Sequence, residues 1–226
     1  VYYQCQPYRQ CQPHNMKRLL AFVILCCTAA NASAAVIQTQ SITTNVDIAT
    51  WKELRDARIV KQDLDFSCGT ASLATLLNEF YGQSLSEEEL LIAMDKGDGR
   101  ASFDDMARVL PEFGFRGGGY AASFEQLAQL KIPVIVYLKN RDNDHLSVLR
   151  GIDSNTVWLA DPSLGNRTYS KSQFLKMWET RGDEELKGKF LAVLSNNPSN
   201  STSDFFDNSP KRQTSGVVIL QSQALN

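Results

Sequence analysis

The spacing of apolar residues changes once along this chain, near residue 130, from a helical period to short alternating runs, and that restricts the fold to helices followed by a sheet. Between residues 68 and 80, Leu73, Leu76, Leu77 and Phe80 recur at helical spacing, and Gly82 closes the run. Ser86-Glu87-Glu88-Glu89 is a capping box with Leu85 and Leu90 placed as a staple, which predicts a second helix to about Met94. Ser102 opens a third through Leu110, stopped by Pro111 and Gly114, and Ser123 with Gln126 opens a short fourth through Leu130. Beyond that point residues 133–138 (PVIVYL), 145–152 (HLSVLRGI) and 156–160 (TVWLA) are short apolar runs split by Asp, Asn and Gly, and they predict antiparallel strands. Ser170 and Gln173 cap a small helix carrying Phe174 and Trp178, and residues 188–194 (GKFLAVL) form a last strand. The expected class is α+β, with N-terminal helices packed on a C-terminal antiparallel sheet.

The ends of the chain read differently. Residues 1–15 repeat a QCQP tetrapeptide before any globular pattern and are read as a segment upstream of the true start. Met16-Lys17-Arg18, the apolar stretch 19–27 and Ala32-Ser33-Ala34 have the three parts of a secretory signal, which assigns 16–34 to export with cleavage after Ala34. The apolar run is far short of the roughly 20 residues of a spanning helix, so no integral span is expected after cleavage. Residues 35–195 are left for one domain, with 35–50 extended and polar. Residues 196–226, rich in Asn, Ser, Pro and Asp, read as a disordered tail.

Cleavage decides which residues can do chemistry. It removes Cys5, Cys11, Cys26, Cys27 and His14, leaving one cysteine, Cys68, and one histidine, His145. It also removes Arg9, Lys17 and Arg18 and no acid, so 20 basic residues face 25 acidic ones and the net charge moves from −2 to −5. Nothing in that balance suits nucleic acid or an anionic membrane. An unpaired thiol in an exported protein is unusual, because that compartment favours disulfides.

A thiol attacks as thiolate, and a helix N-terminus and an imidazolium both favour that form. Cys68 stands where the loop QDLDFS gives way to a helix, and Gly69 beside it is read as letting a substrate approach the backbone. His145 opens a predicted strand and suits a general base. Asp161, at the end of the next strand, can fix the imidazole tautomer. Gln62, six residues before the cysteine, can donate an amide N–H to an oxyanion. Each residue has a commoner structural role: a buried core cysteine, a strand histidine, a loop amide, and a turn aspartate before Pro162. Asp142, Asn143 and Asp144 are alternative partners for His145. One Cys and one His without paired-ligand spacing do not make a zinc site, and neither metal nor cofactor is expected.

Gln62-Asp63-Leu64-Asp65-Phe66-Ser67-Cys68-Gly69, Asp144-His145-Leu146-Ser147-Val148-Leu149 and Asp161-Pro162-Ser163-Leu164-Gly165 together resemble the C39 peptidases, a papain-like family that cleaves leader peptides after double glycine. The resemblance covers about residues 55–195. It implies Cys68 as nucleophile, His145 as base, Asp161 as its orienting acid and Gln62 as oxyanion donor. No P-loop and no transmembrane helices accompany the motifs, and with Gly165-Asn166-Arg167 after the Asp-Pro-Ser-Leu run and the later Phe174 and Trp178 the chain looks most like the standalone periplasmic C39 proteins of functional-amyloid export systems. The implied partner is a protein or peptide substrate from that export or fibre machinery, and double-glycine specificity does not follow. A cell-wall amidase of the NlpC/P60 kind, an acyltransferase, and a non-catalytic module that only holds its cargo are the alternatives. Oligomeric state is left open.

Overall fold

A computed structural model of the chain describes residues 34–38, 43–47, 49–95, 97, 99–140, 143–197 and 204–211. The signal assigned to 16–34 and the upstream segment 1–15 lie outside the described residues, apart from Ala34. The chain divides into two compact units, 1–50 and 51–226. In the first, β1 (Ala34–Gln38) and β2 (Thr43–Asp47) pair antiparallel as a hairpin.

The second unit opens with α1 (Trp51–Asp56), followed by α2 (Cys68–Tyr81), α3 (Glu87–Met94), α4 (Phe103–Val109) and a 3-10 turn (Leu110–Phe113). Then come β3 (Phe115–Ala122), α5 (Phe124–Leu127), β4 (Val134–Asn140), β5 (Asn143–Ile152), β6 (Thr156–Asp161), β7 (Gly165–Ser170), α6 (Lys171–Trp178) and β8 (Gly188–Ser195). The six later strands form one antiparallel sheet in the order β3-β8-β4-β5-β6-β7. Reciprocal capping boxes close on Ser86/Glu89, Ser102/Asp105, Ser123/Gln126 and Ser170/Gln173, so each serine satisfies an N3 amide that would otherwise lack a partner. Gly82, at φ 67°, ends α2 in the left-handed region, where glycine carries no side-chain penalty.

Two strands do not follow from apolar alternation. β3 contains Gly117-Gly118-Gly119, which have no side chains to alternate, yet it pairs with β8 along its full length and supplies an edge of the sheet from within the helical half. A Cβ on Gly117 would come within 2.4 Å of Leu110 Cδ1, so the strand is glycine-rich where it runs under the 3-10 turn. β7, in GNRTYS, is mostly polar and closes the other edge. The fourth helix is shorter than its sequence pattern and gives way to turn hydrogen bonds after Leu127.

Two apolar clusters lie on the faces of the sheet. One gathers Leu73, Leu76 and Leu77 of α2 with Leu90, Met106, Ile135 and Val148, and the other gathers Phe174 and Trp178 of α6 with Val134, Val136 and Leu159. Gly188 lies flat beneath Trp178, where any Cβ would overlap the indole.

The tail assigned to disorder is corrected over 204–211. Phe205 is fully buried and Phe206 nearly so, and Asp207 bridges to Gly151, accepting from Ile152 N–H at 3.1 Å and donating to Arg150 O at 2.9 Å. The physical reason is a cation–aromatic stack: the Phe205 ring lies 4.5 Å from the Arg150 guanidinium and 5.1 Å from that of Arg58, while Trp158 covers Arg150 at 4.1 Å. Asp204 adds an ion pair to Arg58. A polar composition hid two adjacent aromatic anchors; residues 212–226 lie outside the described residues. Phe205→Ala is expected to cost about 3 kcal/mol in urea unfolding, the usual scale for emptying a buried aromatic site. A loss below about 0.5 kcal/mol would show that the segment is not seated in solution.

Candidate active site

The site is assembled where α2 meets β5. α2 lies close against the strand because Gly69 has no side chain: a Cβ there would meet Met106 Cε at 3.0 Å, Leu146 Cδ1 at 3.1 Å and Ala101 Cβ at 3.2 Å. Gly69 therefore serves the packing of the helix and not, as its sequence position suggested, the approach of a substrate. One turn further along, Ser72 Oγ donates to Leu146 O at 3.1 Å, fixing the helix to the residue next to His145. Ser67 does not cap α2; its hydroxyl closes the preceding turn on Leu64, so that side chain does not occupy the helix's opening N–H groups.

β5 and β6 pair with Val148 opposite Ala160. Continued by one residue, that register sets Asp161 opposite Ser147 and one diagonal step from His145 on the same face, within reach of a long side chain. His145 Nε2 and Asp161 Oδ2 lie 2.8 Å apart. The other carboxylate oxygen, Oδ1, accepts the backbone N–H groups of Ser163 at 2.9 Å and Leu164 at 2.8 Å. The turn-forming role and the histidine-orienting role are thus held by one residue, an oxygen for each. With Nε2 engaged, Nδ1 is the ring nitrogen left for the sulfur; Cys68 and His145 line the same two clefts and each shifts the titration of the other.

Among the alternatives, Asp144 is committed elsewhere: it accepts the Tyr137 hydroxyl, and its carbonyl takes Arg100 Nη1 at 2.9 Å. Asn143 pairs with Asn140 at the end of the hairpin, and Asp142 lies outside the described residues. Gln62 is brought to the same cleft. Its main chain donates to Pro162 O at 3.2 Å, its Nε2 donates to Leu64 O at 2.9 Å, and its Oε1 accepts from Ser163 Oγ at 2.6 Å.

Burial and charge act against each other on all three titratable groups. Burial pushes the Cys68 thiol up, but the hydrogen bond from His145, the backbone at Leu146 and the nearby charges of His145 and Arg100 outweigh it, and the thiol titrates below its ordinary value. Burial lowers His145, yet the bonds to Asp161 and Cys68 raise it to about 9. Asp161 is raised by burial and held below its ordinary value by His145 and the two turn amides. These directions favour a thiolate beside an imidazolium, oriented by a carboxylate.

Cys68 is 5% exposed and lines two clefts that share it with Arg100, Asp144 and His145. One, of about 310 Å3, is lined by Arg100, Phe103, Tyr137 and Lys189; the other, of about 480 Å3, by Gln62, Leu138, Leu164 and Met177. Both include Cys68 and His145. Arg100 lines both clefts and bears on the thiol, and the sequence reading missed it. Its only signal was a cation at the end of the Gly-rich stretch before the Ser102 cap.

The Peptidase C39 family model matches residues 56–181. Two curated proteins, each named a probable functional amyloid protease FapD, align over 134 residues: that of Pseudomonas aeruginosa at 39% identity and that of Pseudomonas fluorescens at 37%. Each alignment covers 56% of this chain and 59% of the relative, so the chain spans little more than half the length of the curated relatives it matches. Among solved structures, a double glycine motif protease from an AMS/PCAT transporter, crystallised with its leader peptide, superposes with a TM-score of 0.51 at 21% identity, covering 61% of this chain and 91% of that one. That likeness carries the fold, which is the papain-like α+β arrangement expected from the sequence.

Alkylation of Cys68 by iodoacetamide is expected to continue below pH ~8.5, where an ordinary thiol protonates. Asp161→Ala removes a group that raises His145, so the imidazolium is lost at lower pH and the alkylation profile should move up toward the ordinary thiol range. Superimposable profiles for Asp161→Ala and the parent would contradict the coupling of the three residues.

Proposed function

The chain belongs to the peptidase C39 family, and we propose that it hydrolyses a peptide bond of a protein substrate with Cys68 as nucleophile, His145 as acid and base, Asp161 as orienting carboxylate and Gln62 as oxyanion donor. The observation that carries this reading is the 2.8 Å approach of His145 and Asp161 beside Cys68 on one cleft. In this reaction the Cys68 thiolate bonds to the scissile carbonyl carbon, and the carbonyl π electrons move onto oxygen. Gln62 Nε2–H and the N–H groups at the start of α2 stabilise that oxygen. Collapse of the tetrahedral species expels the amine, which takes its proton from His145 and leaves a thioester on Cys68. His145, now neutral, takes a proton from water as the water attacks the thioester, and the free acid and thiolate return.

We place the substrate among the components of a functional-amyloid system, by analogy with the two Pseudomonas relatives, and the site of action in the periplasm. No helix among the described residues is long and apolar enough to cross a membrane. The export signal at 16–34 is the basis for the periplasmic assignment. The presence of Cys68, His145 and Asp161 on one cleft favours a working peptidase over a module that only binds cargo.

Cys68→Ala is expected to abolish processing, and Gln62→Ala to lower kcat by about 10² to 10³, the usual effect of losing one oxyanion donor. Comparing the exported proteins of parent and Cys68→Ala cells by terminal-peptide mass spectrometry would reveal the new N-terminus that depends on the enzyme. Identical termini in the two strains would refute the peptidase reading. Hydrolysis should also decline as pH rises through about 9, where His145 loses the proton it gives to the leaving amine; activity still rising through pH 10 would contradict that role.

A further inference from the structure

The turn that carries Asp161 also grips Gln62. Pro162 O accepts the Gln62 backbone N–H at 3.2 Å, Ser163 O accepts Lys61 Nζ at 2.7 Å, and Ser163 Oγ donates to Gln62 Oε1 at 2.6 Å. At the other end of the amide, Nε2 spends one of its two hydrogens on Leu64 O at 2.9 Å. A planar amide held at both ends cannot rotate about its last bond, so the direction of its second Nε2 hydrogen is fixed. Turning the amide over would set Oε1 against the Leu64 carbonyl, oxygen against oxygen. Gln62 and Ser163 line the same cleft as Cys68 and His145.

We propose that Ser163 is a positioning residue whose hydroxyl fixes the Gln62 side-chain amide, so that its remaining N–H is presented to the oxyanion formed at Cys68. The inference deepens the peptidase reading and rests on Gln62 as the donor. Ser163 does not touch the reacting atoms. Its contribution to Asp161 is made by its backbone N–H, which any residue but proline supplies, so removing the hydroxyl leaves the carboxylate and His145 in place. The two functions of the turn can therefore be separated by experiment.

Two reagents make that separation without knowledge of the natural substrate. With p-nitrophenyl acetate, the Cys68 sulfur bonds to the acetyl carbon, the carbonyl oxygen carries the charge, and p-nitrophenolate leaves with its electron pair, giving an S-acetyl enzyme. With iodoacetamide, the sulfur displaces iodide from a methylene carbon, and no oxyanion forms. Ser163→Ala in the full chain is expected to slow acylation about five-fold, the worth of one solvent-accessible hydrogen bond, with the alkylation rate, its pH profile and the melting temperature unchanged. Ser163→Thr, which keeps the hydroxyl, should restore acylation. In a Gln62→Ala background, itself slow to acylate, Ser163→Ala should have no further effect.

Acylation at the parental rate by Ser163→Ala beside a slow Gln62→Ala would overturn the inference and leave the peptidase reading standing. A parallel loss of alkylation and acylation in Ser163→Ala would also overturn it, since the hydroxyl would then be supporting the thiolate pair. Parental acylation by Gln62→Ala would remove Gln62 from the mechanism and the inference with it, and loss of neither reaction in Cys68→Ala would remove the nucleophile itself.

Discussion

The close seating of α2 on β5 is the constraint from which the rest of the site follows. Side chains at a contact between a helix and a strand act as spacers between the two elements. Gly69 removes that spacer at the one place where it matters, and the Ser72 bond to Leu146 holds the approach. The same contact buries the sulfur and the ring, which raises the cost of charging either one alone. Burial therefore makes each of the two charges depend on the other.

Asp161 resolves that dependence. A buried carboxylate is costly unless its oxygens are occupied, and here one oxygen is occupied by two backbone amides and the other by the imidazole. The aspartate is fixed by the main chain of its own turn, so it can orient the ring without being mobile itself. From the same turn, Pro162 and Ser163 hold Gln62, 101 residues away from Ser163 in sequence. One short turn thus sets the positions of both His145 and Gln62.

What was legible in the sequence was local chemistry. Four serines, each followed three residues later by Glu, Asp or Gln, begin helices as the capping rule requires, because both bonds of the box lie within one turn. Cys68 and His145 stood out once the first 34 residues were set aside, and Asp161 followed from its place in the next strand. Missing were features set by residues far apart in the chain. β3 is a strand because Leu110 presses on Gly117 and β8 pairs with it, and neither fact is visible in RGGGYA. Phe205 is a core residue because Arg150 and Arg58 face it, partners 55 and 147 positions earlier. Arg100 and Ser163 matter through neighbours that only the folded chain supplies.

The seating of Phe205 reaches further than stability. Arg150 beneath it holds Asn166, and Asn166 in turn ties down the carbonyls of Arg55 and Ala57, shortly before Gln62. Phe205 therefore bears, through Arg150 and Asn166, on the stretch that leads into Gln62. A disturbance at Phe205 would accordingly be felt ahead of Gln62 by way of two intervening side chains, Arg150 and Asn166.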